Sequence, residues 1–333
     1  MHPTRVLIIR FSSMGDIVLT TPVIRYIKEQ FDGEVEIHFL TKKSFVSLLE
    51  HNPHISQLHA IDKSVMEVVP ELMTLDFDYI IDLHSNIRSR IVKRKLKRLS
   101  FTFEKLNFKK WLWVNFGINN MPDMHIVDRY LATLAPFGVQ DDGKGLDYFF
   151  PKNFSWSHPT LPPHYIAFAI GGAHIGKRMD AAKLISICKE INRPIILLGG
   201  KEDVEIAAEI TAQLPQVVNY CGKLSIHESA FVLKEASIVL SGDTGLMHIA
   251  SAFQKKIISL WGCTTPGLGM YPYRPHSDSV ILEPHGRTKR PCSKLGNKCK
   301  YGEKNRCILH IDEAELIQAI EKLWVLEKAP STL

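Results

Sequence analysis

The sequence predicts two doubly wound α/β domains side by side, and three observations carry that expectation. Short apolar runs rich in β-branched residues alternate with amphipathic stretches; the alternation pauses once near the middle of the chain; and it then restarts with the same rhythm. A chain of 333 residues is long enough for two domains, each with its own core.

In the first half, RVLIIRF (5–11) is a continuous apolar run of the kind found in buried parallel strands. A Ser-Ser-Met-Gly-Asp loop follows it, then a helix expected from about Ile17 to Phe31. EVEIHFLT, ISQLHAI and YIIDLH are further strands, with helical segments between them. The proline-rich and polar stretch FPKNFSWSHPTLPPHY (150–165) is the expected linker, so the domains are placed at 1–155 and 160–333. Beyond it, YIAFAIG, PIILLGG, VVNYCG, IVLSGD and KIISLWG are the expected strands. DAAKLISICKEI, EDVEIAAEITAQL, HESAFVLKEA and GLMHIASAF are the helices between them, and IDEAELIQAIEKLWVLEK closes the chain.

Composition narrows the function classes. Hydrophobic residues make up 45% and charged residues 23%, as in ordinary globular proteins. The formal charge of +6 suits an anionic substrate or membrane surface and falls short of a nucleic-acid binder. There is no apolar run of membrane-spanning length, and the N-terminus is too short and strand-like for a signal peptide. The expected location is the cytoplasm, where the six cysteines stay reduced.

Ligands of doubly wound folds bind outside the carboxyl ends of the strands, and the polar motifs cluster there. Ser12-Ser13-Met14-Gly15-Asp16 follows the first strand; its small residues let a ligand approach the backbone. By position alone Asp16 is a helix cap, a role that lowers a carboxyl pKa and weakens a base. Gly171-Gly172-Ala173-His174-Ile175-Gly176-Lys177 approaches the phosphate-loop pattern, but Arg178 stands where the magnesium-binding hydroxyl belongs. A glycine turn presenting Lys177 to phosphate needs no such hydroxyl.

Ser241-Gly242-Asp243-Thr244-Gly245-Leu246-Met247-His248 runs from a strand end into a helix start. Backbone N–H groups there suit a diphosphate, Thr244 adds a hydroxyl, and Asp243 can accept from a ribose or sugar hydroxyl. His248 lies one helical turn beyond Thr244, on the same side. Trp261-Gly262-Cys263-Thr264-Thr265-Pro266 is expected as a loop beside the site. The run Lys93-Arg94-Lys95-Leu96-Lys97-Arg98, preceded by Arg88 and Arg90, is either a solvated helix face or a contact for anionic lipid or a phosphorylated acceptor. It lacks the aromatics of a single-strand nucleic-acid platform. Asp76-Phe77-Asp78 precedes a strand and is read as loop. Cys292, Cys299 and Cys307, with His310 nearby, form a weak zinc candidate that has no C-x2-C knuckle; the expectation is no metal.

The ordered set of motifs resembles glycosyltransferase family 9, the lipopolysaccharide heptosyltransferases, over most of the chain. RFSSMGDIVLTTPVIRYIK, IDLHSNIRSR, HIVDRYLATL, GGAHIGKR, LLGGKED and SGDTGLMHIASAF fall in family order, and RPCSKLGNKCKYGEKNRCI is similar to a cysteine-bearing stretch of one branch. The resemblance implies a GT-B fold, two Rossmann-like domains facing a central cleft, an acceptor-binding domain followed by a nucleotide-sugar-binding one. It implies inverting transfer of heptose from ADP-heptose to the lipopolysaccharide inner core, without a metal cofactor or nucleic acid. Asp16 falls on the catalytic base, Lys177 on the donor lysine and Glu202 on the acidic residue near the ribose. Ser13, Gly15, Gly172, Ala173, Asp243, Thr244, Gly245, Leu246 and His248 complete the expected donor set; Ser12, Arg88, Arg90 and Arg129 are the acceptor candidates.

The chain departs from the family in three places. Gly172 and Ala173 replace hydroxyl residues, Lys177-Arg178-Met179-Asp180 replaces Lys-x-Trp-Pro, and Gly262-Cys263-Thr264-Thr265-Pro266 replaces Gly-Pro-Thr-Asp-Pro. A phosphate-loop nucleotide hydrolase and a non-catalytic binder of anionic glycolipid remain the alternatives.

Overall fold

The computed structural model describes residues 2–328. It divides into two compact units: the chain up to Lys105 with Met124–Phe154, and Leu106–Asp123 with the chain from Ser155 onward. Residues 106–123, which the sequence reading puts in the first domain, therefore group with the second.

In chain order the first half runs β1 (Thr4–Ile9), α1 (Met14–Val18), α2 (Thr21–Gln30), β2 (Val35–Lys42), β3 (Gln57–Ile61), α3 (Val69–Thr74), β4 (Tyr79–Asp82), α4 (Ile87–Leu96), β5 (Leu99–Thr102), α5 (Asn107–Phe116) and α6 (Ile126–Leu131). The five strands form one parallel sheet in the order β3-β2-β1-β4-β5. Val6, Leu7, Ile8 and Ile9 of β1 are wholly buried at its centre. At about 1.5–3 kcal/mol for each buried aliphatic, they anchor the strand that carries the first site loop.

The helix expected from about Ile17 starts earlier, at Met14, and is broken between Val18 and Thr21. Pro22 in the first turn of α2 has no N–H to continue the ladder. The Thr20 and Thr21 hydroxyls donate back to the Ile17 and Val18 carbonyls at 2.7 and 2.8 Å, satisfying the end of α1.

The second half runs β6 (Ile166–Ala169), α7 (Ala181–Glu190), β7 (Ile195–Leu198), α8 (Val204–Gln213), β8 (Val218–Asn219), α9 (Ile226–Glu235), β9 (Ile238–Gly242), α10 (Gly245–Ala252), β10 (Ile257–Leu260), β11 (Val280–Leu282) and α11 (Glu313–Lys328). Its six parallel strands are ordered β8-β7-β6-β9-β10-β11, the dinucleotide-binding order with its reversal between β6 and β9. The first unit reverses between β1 and β4 in the same way. Two strands escaped the sequence reading, the edge strands β5 and β11; each is four residues or fewer.

α5 contributes no buried residue of its own. It is tied into the second unit by Trp113, against which a Cβ on Gly267 would stand at 2.6 Å, and by Lys294, which donates to Asn107 Oδ1 at 3.4 Å. Among the described residues, no helix is long and apolar enough to cross a membrane.

Candidate active site

In the first unit the reversal lies between the loops that follow β1 and β4. Asp16 sits in the first turn of α1, and Ser13 holds its Oδ2 from both the backbone N–H (3.0 Å) and the hydroxyl (2.7 Å). Arg10, one residue past β1, donates to Asp16 Oδ1 at 2.6 Å. The same guanidinium reaches the carbonyls of Ser12 (2.8 Å) and Leu83, so it spans both loops of the reversal, and it lies over the Tyr130 ring. Burial opposes ionisation of Asp16, but the Arg10 charge and the two Ser13 hydrogen bonds outweigh it and hold the carboxyl below the ordinary range. The cap and the buried ion pair thus coexist at one carboxylate.

His84 stands beside this pair. Burial, then the Arg10 and Lys105 charges, lower its pKa to about 4, so it is neutral near pH 7. Its ring meets Phe11 edge-on. Asp82, fully buried, accepts from the Ser85 N–H (2.7 Å), the His84 N–H (3.0 Å), the Ser89 hydroxyl (2.8 Å) and Lys93 (2.9 Å), and so shapes the loop after β4.

These contacts divide the basic run. Lys93 neutralises Asp82 and Arg98 pairs with Asp76, while Arg88, Arg90, Arg94, Lys95 and Lys97 are exposed. Asp78 accepts from the Arg5 N–H at the start of β4, in line with the loop reading of Asp76-Phe77-Asp78. Arg129, an acceptor candidate, is buried on α6, and Ser12 is half-buried.

In the second unit the reversal brings together the loops after β6 and β9. Lys177 Nζ pairs with Asp243 Oδ2 at 2.7 Å, and the Thr264 hydroxyl donates to the same oxygen at 3.1 Å. Thr244 caps α10 by accepting from the Met247 N–H, and its hydroxyl meets Ser241 Oγ at 3.0 Å. The half-buried residues Gly245 and Leu246 carry the positive end of this eight-residue helix, within the same loop as Asp243. His248 is buried in α10.

Gly172 and Ala173 border Lys177; a Cβ on Gly172 would stand 3.4 Å from the lysine Cβ. Glu202 is exposed after β7, and its neighbour Asp203 is buried. Asp203 accepts from Arg178 (2.6 Å) and from the Gly200 N–H (2.8 Å), and a Cβ on Gly171 would meet its Oδ2 at 2.4 Å. A side chain at 171 would therefore push this carboxylate away from the partners that hold it.

The phosphate-loop alternative fails on backbone. There the lysine opens a long helix, whereas Ile175–Lys177 is one 3-10 turn followed by extended Arg178. The next helix, α7, starts only at Ala181, under an Asp180 cap. The zinc candidate is also corrected. The group that joins Cys292, Cys299 and Cys307 is Cys263, while His310 hydrogen-bonds Asn305.

Sequence reasoning missed Arg10, His84, Asp82, Asp203 and the part of Cys263 in the cysteine cluster. Arg10 left one signal, a charge immediately after the apolar run Val6–Ile9.

Two parallel Rossmann-like sheets, one carrying an arginine-held carboxylate and the other a lysine beside a helix N-terminus, define a glycosyltransferase of the GT-B class. The chain belongs to glycosyltransferase family 9 (heptosyltransferase), whose profile matches residues 65–300. It is similar to lipopolysaccharide heptosyltransferase 1 of Campylobacter coli, 24% identical over 356 aligned positions that cover 96% of this chain and 99% of that one. Among solved structures, the glycosyl transferase family 9 protein of Veillonella parvula superposes with a TM-score of 0.77 at 21% identity, covering 97% of this chain and 98% of that chain. The Escherichia coli heptosyltransferase WaaC with ADP superposes with a TM-score of 0.70 at 20% identity, covering 96% and 100%.

Proposed function

We propose that the protein is an inverting heptosyltransferase that moves heptose from ADP-heptose onto the inner core of lipopolysaccharide. The observation that carries this reading is the meeting of Lys177, Asp243, Thr264 and the start of α10 at the reversal point of a dinucleotide-type sheet. A diphosphate leaving group gains negative charge as it departs. A lysine and a helix N-terminus stabilise that charge without a metal ion, so no metal takes part in the chemistry. The similar solved heptosyltransferase that carries ADP supports the same assignment.

The two units supply different halves of the reaction. The second holds the donor, with Glu202 assigned to the ribose. The first supplies Asp16, which takes the proton from the acceptor hydroxyl. The acceptor oxygen bonds to the anomeric carbon as the bond from that carbon to the phosphate oxygen breaks, through an oxocarbenium-like transition state of the kind met in glycoside hydrolysis. The bonding electrons leave with ADP.

Asp16 is held more acidic than an ordinary carboxyl, so it is a weak base towards a resting alcohol. It suits a reaction in which the hydroxyl acidifies sharply only as it bonds to an electron-poor carbon. Exposed Arg88 and Arg90 on α4 are assigned to phosphates of the acceptor or of the membrane surface in which it lies, at the cytoplasmic face.

Incubation of the purified protein with ADP-heptose and a heptose-deficient core acceptor tests the reading, with GDP- and UDP-sugars as controls. The expected result is ADP release together with a one-heptose gain in acceptor mass. Release without that gain, or equal use of a control donor, would refute it.

A further inference from the structure

Cys263 follows β10, and Cys292, Cys299 and Cys307 lie in the long connection from β11 to α11. Their four sulfurs lie within 4.8 Å of one another, with none disulfide-bonded. We propose that they bind one thiophilic divalent metal ion, zinc or ferrous iron, as a tetrathiolate centre that braces the Lys177 loop.

The spacing of the sulfurs is the first argument. The Cys292–Cys299, Cys292–Cys307 and Cys299–Cys307 separations are 3.9, 3.7 and 3.8 Å. A tetrahedral ion with metal–sulfur bonds of about 2.3 Å requires sulfurs about 3.8 Å apart. A disulfide would draw two of them to about 2.05 Å and leave the others behind. Sulfur-only tetrahedral ligation selects zinc or iron over the hard cations magnesium and calcium.

The connection itself is the second argument. Residues 286–306 carry eight lysines and arginines against one glutamate, and in the 282–313 region only two short 3-10 turns interrupt irregular backbone. Such a segment has too little apolar surface to fix itself by burial, yet Cys292 and Cys307 are buried within it. A metal cross-link supplies what a core does not. Four thiolates around a divalent ion carry a net charge of about −2, which the surrounding cations offset.

The backbone then links the cluster to Lys177. Cys292 N–H donates to Cys263 O (2.7 Å), Cys263 N–H to Gly176 O (3.1 Å), and Gly176 N–H to Gly296 O (2.8 Å). Gly176 is thereby held from both sides, one residue before Lys177. Thr264, next to Cys263, donates to the Asp243 carboxylate that pairs with Lys177. The centre is thus a positioning device behind the lysine and takes no part in bond making. That last step rests on the donor-site reading, whereas metal binding does not.

The test is metal content by plasma mass spectrometry on full-length protein purified without chelator from metal-replete medium. One equivalent of zinc or iron per chain is expected, with loss in C263S and C299S. Circular dichroism checks that those variants retain their α/β fold. Replacement by cobalt(II) should give the thiolate charge-transfer and intense d–d bands of a tetrahedral tetrathiolate. A folded wild-type chain with four freely titrating thiols and no stoichiometric metal would overturn the proposal, as would retention of metal in both variants. Metal removal should weaken ADP binding several-fold and metal return should restore it. Unchanged ADP affinity would refute the bracing step, while failure of the loaded protein to bind ADP would instead refute the donor site.

Discussion

Lys177 and Asp243 meet at 2.7 Å although each ends a different strand loop, one after β6 and one after β9. The pair closes the reversal point of the second sheet with a cation already neutralised, so the diphosphate proposed to bind there would share Lys177 with Asp243. Lys177→Ala should therefore weaken ADP binding and lower kcat/KM for the donor, by up to about 3–4 kcal/mol in transition-state terms, the scale of one lost oxyanion donor. Titration calorimetry with ADP and steady-state kinetics measure both. Wild-type values would leave Lys177 only the ion-pair partner of Asp243. Asp243→Asn combined with Lys177→Ala should be non-additive, because the two residues act as one unit.

Asp16→Asn keeps the shape of the α1 cap and removes the proton acceptor. Transfer should fall by roughly 10²–10⁴-fold, the usual worth of a positioned base, while ADP affinity stays unchanged. Turnover within a few-fold of wild type would remove Asp16 from the mechanism.

The pH dependence follows from the environment of Asp16. Its pKa is depressed in the folded protein, so the stability it contributes is present above the ordinary aspartate value of about 3.9 and is lost as pH falls through the lower folded value. The acidic limb of kcat/KM due to this group should lie below that ordinary value. Arg10→Gln removes the main opposing charge and leaves the burial, so the limb should move up towards neutral pH. Identical limbs in both proteins would show that Arg10 does not set the basicity of Asp16.

Under the proposed mechanism, in which Lys177 and the start of α10 stabilise the leaving charge, transfer should continue when EDTA is added at assay. Activity lost to the chelator and restored by magnesium would contradict the metal-free chemistry. A loss restored only by zinc or iron would trace to the cysteine cluster.

Gly176→Ala should destabilise the second unit by about 1–3 kcal/mol, the usual range for an overpacked site. Its Cβ would stand 2.4 Å from the Gly296 carbonyl and 2.8 Å from Cys263 Sγ, and backbone cannot step aside as a side-chain end can. Thermal denaturation with the wild type as reference measures it.

The strands at the sheet centres and the polar loops that follow β6 and β9 were legible because each is a local signal, an apolar run that ends in small or polar residues. What the sequence did not reveal is how those loops pair. That Lys177 meets Asp243 follows from the β6–β9 register, Ala169 opposite Ser241, and no local pattern encodes it. Arg10 was hidden because RVLIIRF reads as core, although its last charged residue turns out of the strand onto Asp16. Cys263 was hidden because its partners lie beyond another strand, and β5 and β11 because so few residues carry no period. Asp203 was masked by Glu202 beside it, since only burial tells the two acids apart.

α5 carries a consequence for dissecting the molecule. The chain passes between its two units at 105/106, 123/124 and 154/155, so no single cut separates them. A fragment begun at Ser155 would lack α5, leaving Gly267 without the Trp113 indole and Lys294 and Lys300 without their acceptors on that helix. Heptosyltransferase halves exchanged at the obvious proline-rich junction would likewise bring a foreign helix to that docking place. A working chimera has to carry residues 106–123 along with the half that begins at Ser155.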